Sequence, residues 1–70
     1  MIPFQIEQDG FVSLRVYNLL GQEIAVLVNE RMEAGKYRAE FDASDLPGGM
    51  YLYRLDAGGR SESRKMILLK

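Results

Sequence analysis

The chain alternates apolar and polar side chains over short stretches. Val12, Leu14 and Val16 fall on one side and Ser13, Arg15 and Tyr17 on the other, the period of two that seats one face of a strand on a core. Tyr37, Ala39 and Phe41 repeat the pattern against Lys36, Arg38 and Glu40. Glycines punctuate these stretches at Gly10, Gly21, Gly35, the pair Gly48 and Gly49, and the pair Gly58 and Gly59. They mark the places where a chain reverses. Five turn sites imply six extended segments, at the spacing of short strands in a sandwich or barrel.

Two segments carry more specific signals. Leu52 to Ala57 and Arg60 to Lys65 flank Gly58-Gly59, and a Gly-Gly pair accepts the positive φ angles of a two-residue hairpin turn. Pro3 stands at the head of the first segment, where a missing N–H is tolerated at a sheet edge; Pro3 to Glu7 is therefore expected to be an edge strand. Gln22 to Ala34 reads both ways. Leu20, Ile24 and Leu27 have helical spacing and Gly35 follows as a possible cap, whereas Ile24, Val26 and Val28 are β-branched and alternate.

Length and composition bound the rest. Seventy residues suffice for one domain with a thin core, since a chain of this size buries about 60% of its unfolded surface. An apolar content of 47% with 27% charged residues is that of a folded globular domain. Nine Lys and Arg against ten Asp and Glu give no general attraction to nucleic acid or anionic lipid. No residue is Cys or His, which removes disulfides, thiolate and imidazole metal sites and the commonest general base. Neither a signal peptide nor an apolar run of membrane-spanning length is present in the sequence as given.

Candidate chemistry is sparse. Ser13, Ser44, Ser61 and Ser63 have no histidine to activate them. Asp42, Ser44 and Asp45 gather oxygens in one loop, but a calcium site wants about six to eight at fixed offsets, and a turn with side chains bonding backbone amides accounts for them. Neither Gly pair precedes the Lys-Ser or Lys-Thr of a phosphate loop. Tyr17, Tyr51 and Tyr53 suit packing in strands. Tyr51 follows Leu46-Pro47-Gly48-Gly49-Met50, the kind of corner at which a tyrosine hydroxyl bonds backbone a few residues upstream. Arg60, Arg64, Lys65 and Lys70 surround Met66-Ile67-Leu68-Leu69, as in a final strand with solvated charges. The composition and motifs thus point to no enzyme, no cofactor, no metal, no nucleic acid and no small-molecule substrate.

Several segments in order resemble a known family. Ile2-Pro3-Phe4-Gln5-Ile6 leads to Asp9-Gly10 and to Val12-Ser13-Leu14-Arg15-Val16-Tyr17-Asn18-Leu19-Leu20-Gly21-Gln22-Glu23-Ile24, with Leu27 beyond. Ala34-Gly35-Lys36-Tyr37 follows, then Phe41-Asp42-Ala43-Ser44-Asp45-Leu46-Pro47-Gly48-Gly49-Met50-Tyr51-Leu52-Tyr53-Arg54-Leu55 and the tail Lys65-Met66-Ile67-Leu68-Leu69-Lys70. Over essentially the whole chain this resembles the type A C-terminal sorting domain of type IX secretion, which is similar to the immunoglobulin-like domain of flagellar hook-capping proteins. Gly48 stands where the family often has Ser, Met50 where Val is usual and Glu7 where Pro is frequent.

The resemblance implies an all-β, immunoglobulin-like antiparallel sandwich of about six or seven strands, with Gln22 to Asn29 as a strand. It implies a non-catalytic secretion signal at the end of a covalently linked N-terminal passenger, exported through the periplasm to the cell surface or beyond. Its partners would be the outer-membrane secretion machinery and a surface sorting peptidase. The signal residues implied are Gly35, Tyr37, Leu46, Pro47, Gly49 and Tyr51, with Lys65, Met66, Ile67, Leu68, Leu69 and Lys70. The family ordinarily continues upstream into an Asn-Pro-rich connection, so residues 1–70 are expected to be a single domain excised from a larger secreted protein. The alternatives are an assembly module of hook-capping type, whose corresponding loop tends to read Trp-Asp-Gly, and an adhesion spacer.

Overall fold

A computed structural model describes residues 2–69. Six strands follow one another: β1 (Ile2–Ile6), β2 (Gly10–Tyr17), β3 (Glu23–Met32), β4 (Gly35–Ala39), β5 (Gly49–Ala57) and β6 (Arg60–Leu68). All pairings are antiparallel. β1 pairs with β4 in a two-stranded sheet, and the other strands form a four-stranded sheet in the order β3-β2-β5-β6. The two sheets meet face to face in a sandwich of the immunoglobulin-like kind.

Alternation along β2 sets the core. Val12, Leu14 and Val16 are fully buried, opposite Ala57, Leu55 and Tyr53 of β5. Ile2 of β1 and Ala39 of β4 close over Leu14, Val16 and Tyr51 from the other sheet. Ser13 lies on the opposite face of β2 but is also buried, because strands flank it on both sides. Its hydroxyl accepts a hydrogen bond from Arg15 Nε at 2.9 Å. β1 has the predicted place at an edge, with Pro3 exposed and paired across to Arg38.

The hairpin between β5 and β6 turns at Gly58 and Gly59, with φ of +59° and +77°. Two positive angles in a two-residue loop match the right-handed twist of the flanking strands. Pairing then runs without a break from Ala57 opposite Arg60 to Gly49 opposite Leu68. Gly10, by contrast, heads β2 with an ordinary φ. The reversal before it falls on residues 7–9, and Asp9 accepts the Ala34 N–H at 2.7 Å.

The segment that read both ways is a strand, but not a regular one. Val28 faces Leu14 and Val26 faces Arg15, skipping Leu27; Ala25 faces Val16 and Glu23 faces Tyr17, skipping Ile24. Each skip is a bulge that resets which side chain points inward. Ile24, Ala25, Leu27 and Val28 therefore all pack toward the core, while Val26 is 47% exposed. Ile24, Val26 and Val28, which alternate in the sequence, thus do not share one face of the strand. Two bulges three residues apart put apolar pairs at an interval that imitates a helix.

Candidate functional site

The loop between β4 and β5 delivers a corner. Asp42 Oδ1 accepts the Ser44 N–H at 3.0 Å and Ala43 C=O accepts the Leu46 N–H at 3.0 Å, so the Asp42 carboxylate helps to build a turn. Leu46 packs against the core. Gly49 then opens β5 at φ +143°, a conformation that side chains beyond Gly adopt with strain. Two residues on, Tyr51 is buried at 6% exposure, and its hydroxyl donates to the Pro47 carbonyl at 2.7 Å. The corner expected from the sequence is thus closed by the bond expected of it.

β6 runs beside this corner. Tyr51 faces Met66 and Gly49 faces Leu68. Met66 and Leu68 pack against the core, whereas Lys65 is exposed, Ile67 is 62% exposed and Leu69 is 90% exposed. Strand parity divides the tail into an inward and an outward set. Lys70 lies outside the described residues.

Gly35 and Tyr37 sit in the other sheet. Gly35 opens β4 at φ +154° opposite Ile6. The Tyr37 ring stacks on Phe4 at 5.5 Å between centroids and 19° between planes, and its hydroxyl donates to the Glu33 carbonyl at 2.5 Å. The structure therefore joins Leu46, Pro47, Gly49 and Tyr51 to Met66 and Leu68, and places Gly35 and Tyr37 in the opposite layer.

Met50 is a neighbour that motif reading missed. It lies directly opposite Ile67 and is 39% exposed, so the two form an apolar pair on the outer face. The parity that turns Tyr51 inward already turns Met50 outward.

Two polar clusters elsewhere are held in contacts between strands. Arg15 bonds Glu23 at 2.7 Å, and this partner raises the Arg15 pKa above its ordinary value. Asp56 accepts from the Ser61 hydroxyl and from Arg54 Nε, with Arg54 Nη2 also reaching Ser61 at 3.1 Å. The Ser61 hydroxyl first, and then Arg54, hold the Asp56 carboxyl below its usual range against the opposing effect of burial. Ser13 and Ser61 thus serve arginine and carboxylate contacts. A groove of about 820 Å³ between the layers is lined by Phe4, Tyr37, Tyr53, Leu55, Glu62 and Arg64 among others. Its mixed charges and aromatic sides assemble no nucleophile with a base. Among the described residues no group of three or more Asp or Glu side chains is placed to hold a metal ion.

No curated protein and no solved structure matches the chain. A family model does: the secretion system C-terminal sorting domain, over residues 2–69. That span runs from the first residue of β1 through the outward-facing Leu69 and takes in both the corner and the tail. The match joins the all-β layering, the tyrosine corner and the divided tail into one assignment, and the chain belongs to the secretion system C-terminal sorting domain family.

Proposed function

We propose that this chain is a single sorting domain carried at the C-terminal end of a longer secreted protein, where an outer-membrane translocon of type IX secretion recognises it and a surface peptidase removes it. Family membership supports a C-terminal secretion-signal role, transit to the cell surface or extracellular space, and association with a type IX machinery and an N-terminal passenger. Domains of this family are generally non-catalytic, so activity belongs to the passenger. The recognition residues in this reading are the corner Leu46, Pro47, Gly49 and Tyr51, the pair Gly35 and Tyr37, and the tail Lys65 to Lys70.

The observation that carries the reading is the family match ending on a strand whose second edge is free among the described residues, with an outward set of Lys65, Ile67 and Leu69. Such a strand offers a receptor both backbone pairing and side-chain pockets. The test is a fusion of residues 1–70 to a periplasmic reporter in a host with type IX machinery. The reporter reaches the surface or medium with the intact domain and stays in the periplasm without residues 65–70. A reporter held in the periplasm by the intact domain, or exported equally well without the tail, sinks the proposal.

A further inference from the structure

The four-stranded sheet has two edges of different character. β3 is interrupted by two bulges, which twist an edge out of register and discourage further pairing. β6 runs nine residues with an unbroken register, pairs with β5 alone among the described residues, and is exposed from Arg60 through Lys65. A two-residue turn is closed by a hydrogen bond between its flanking residues, here Ala57 and Arg60. The alternation of an antiparallel ladder then points the N–H and C=O groups of Ser61, Ser63, Lys65 and Ile67 to the free edge.

Charge along this edge is self-complementary over a long overlap in one arrangement; pairing about Ser61 also sets Arg60 opposite Glu62 of the second copy, but it engages only residues 60–62 of each strand beside the turn. Pairing β6 antiparallel with its own copy about Glu62, Arg64 or Lys65 sets like charges opposite each other. Pairing about Ser63 sets Glu62 opposite Arg64 of the second copy, twice by symmetry, and Lys65 opposite Ser61. Ser63 exchanges backbone bonds with its counterpart in that register. Glu62 and Arg64 then occupy the closely spaced positions where cross-strand side chains interact most. A two-fold interface of this kind is closed and does not propagate.

We propose that the chain forms a two-fold dimer by antiparallel pairing of β6 with β6 of a second copy, in the register centred on Ser63, which joins the two four-stranded sheets into one across the interface. The same free edge is the one offered to a translocon, so self-pairing and recognition compete. Dimerisation is nevertheless measured on purified protein and stands or falls independently of export.

The test is sedimentation equilibrium of the 70-residue chain from micromolar to millimolar concentration. Wild type associates to a dimer, and Glu62→Lys and Arg64→Glu each weaken association about tenfold or more, by turning two opposite-charge pairs into two like-charge pairs. An equimolar mixture of the two variants recovers association, because in the mixed dimer position 62 of each chain again faces the opposite charge at position 64 of the other. The double variant Glu62→Arg with Arg64→Glu recovers it within one chain. Both side chains are exposed, so these changes leave the core untouched. A wild type that stays monomeric throughout, single variants that dimerise as wild type does, or recovery in neither the mixture nor the double variant overturns the proposal.

Discussion

Replacing Tyr51 by phenylalanine removes one oxygen and little else. The ring remains buried against Leu14 and Val16 in the core cluster, so no cavity opens; what is lost is the 2.7 Å bond to the Pro47 carbonyl. A hydrogen bond of this kind contributes about 1 kcal/mol net. The loss stays near that figure because Pro47 is exposed and water can reach its carbonyl once the phenol has gone. In a domain of this size, whose whole stability is about 4–10 kcal/mol, 1 kcal/mol lowers the melting temperature by about 4–8 °C. With a urea slope near 1 kcal/mol/M, the midpoint falls by about 1 M at unchanged slope. Tyr51→Ala, which also empties the ring's volume, costs about 3–5 kcal/mol. Urea and thermal melts followed by circular dichroism measure all three proteins. A Tyr51→Phe midpoint coinciding with wild type, or a loss as large as that of Tyr51→Ala, would refute the assignment of the corner bond.

Leu14→Ala removes a fully buried side chain and costs about 2–5 kcal/mol, which lowers the melting temperature followed by circular dichroism by about 10–40 °C; a melt like that of wild type contradicts the core described. Gly58, at φ +59°, accepts asparagine with little change in melting temperature, whereas Gly58→Val lowers stability by about 1–2 kcal/mol; equal melts for the two substitutions would exclude the turn geometry. Because the Asp56 carboxyl is held below its ordinary range, its contribution is present above the unfolded-state value near 3.9 and fades as pH falls through the lower folded value. Asp56→Asn therefore flattens the acid limb of stability below about pH 4 and lowers the plateau only slightly, since the group is partly solvated; an unchanged acid limb in urea melts across pH counts against the contact. The exposed Arg15–Glu23 pair shows a coupling of at most about 1 kcal/mol in a double-mutant cycle, and a larger value would mean that it is shielded from solvent.

Local chemistry made several elements legible. Gly58-Gly59 announced a two-residue hairpin because few other residues meet its φ requirement, and Val12, Leu14 and Val16 announced a core face by period alone. Leu46 through Tyr51 announced a corner that the Tyr51–Pro47 bond completes. β3 was ambiguous for a physical reason: a bulge is imposed by the partner strand, and the skipped residues Ile24 and Leu27 look from sequence like a helical stripe. The candidate recognition residues were legible as a set through family resemblance, but their division was not. Whether Met66 or Ile67 faces the core depends on pairing with Tyr51 and Met50, and whether β6 is an edge depends on the order of all four strands.

The parity of the tail also separates folded from unfolded protein. In an extended, unfolded chain Met66, Ile67, Leu68 and Leu69 present one continuous greasy run, the same to any binder as a chaperone substrate or an aggregation seed. Docking of β6 withdraws Met66 and Leu68 and leaves Ile67 and Leu69 about 7 Å apart along the strand, two residues of rise. A loose extended tail reaches the same spacing but leaves Met66 and Leu68 open as well, so docking of β6 removes half of the apolar side chains that the tail otherwise exposes. On the proposed reading, the tail that a receptor meets on the folded domain is this outward pair, while Met66 and Leu68 are withheld for as long as β6 stays docked.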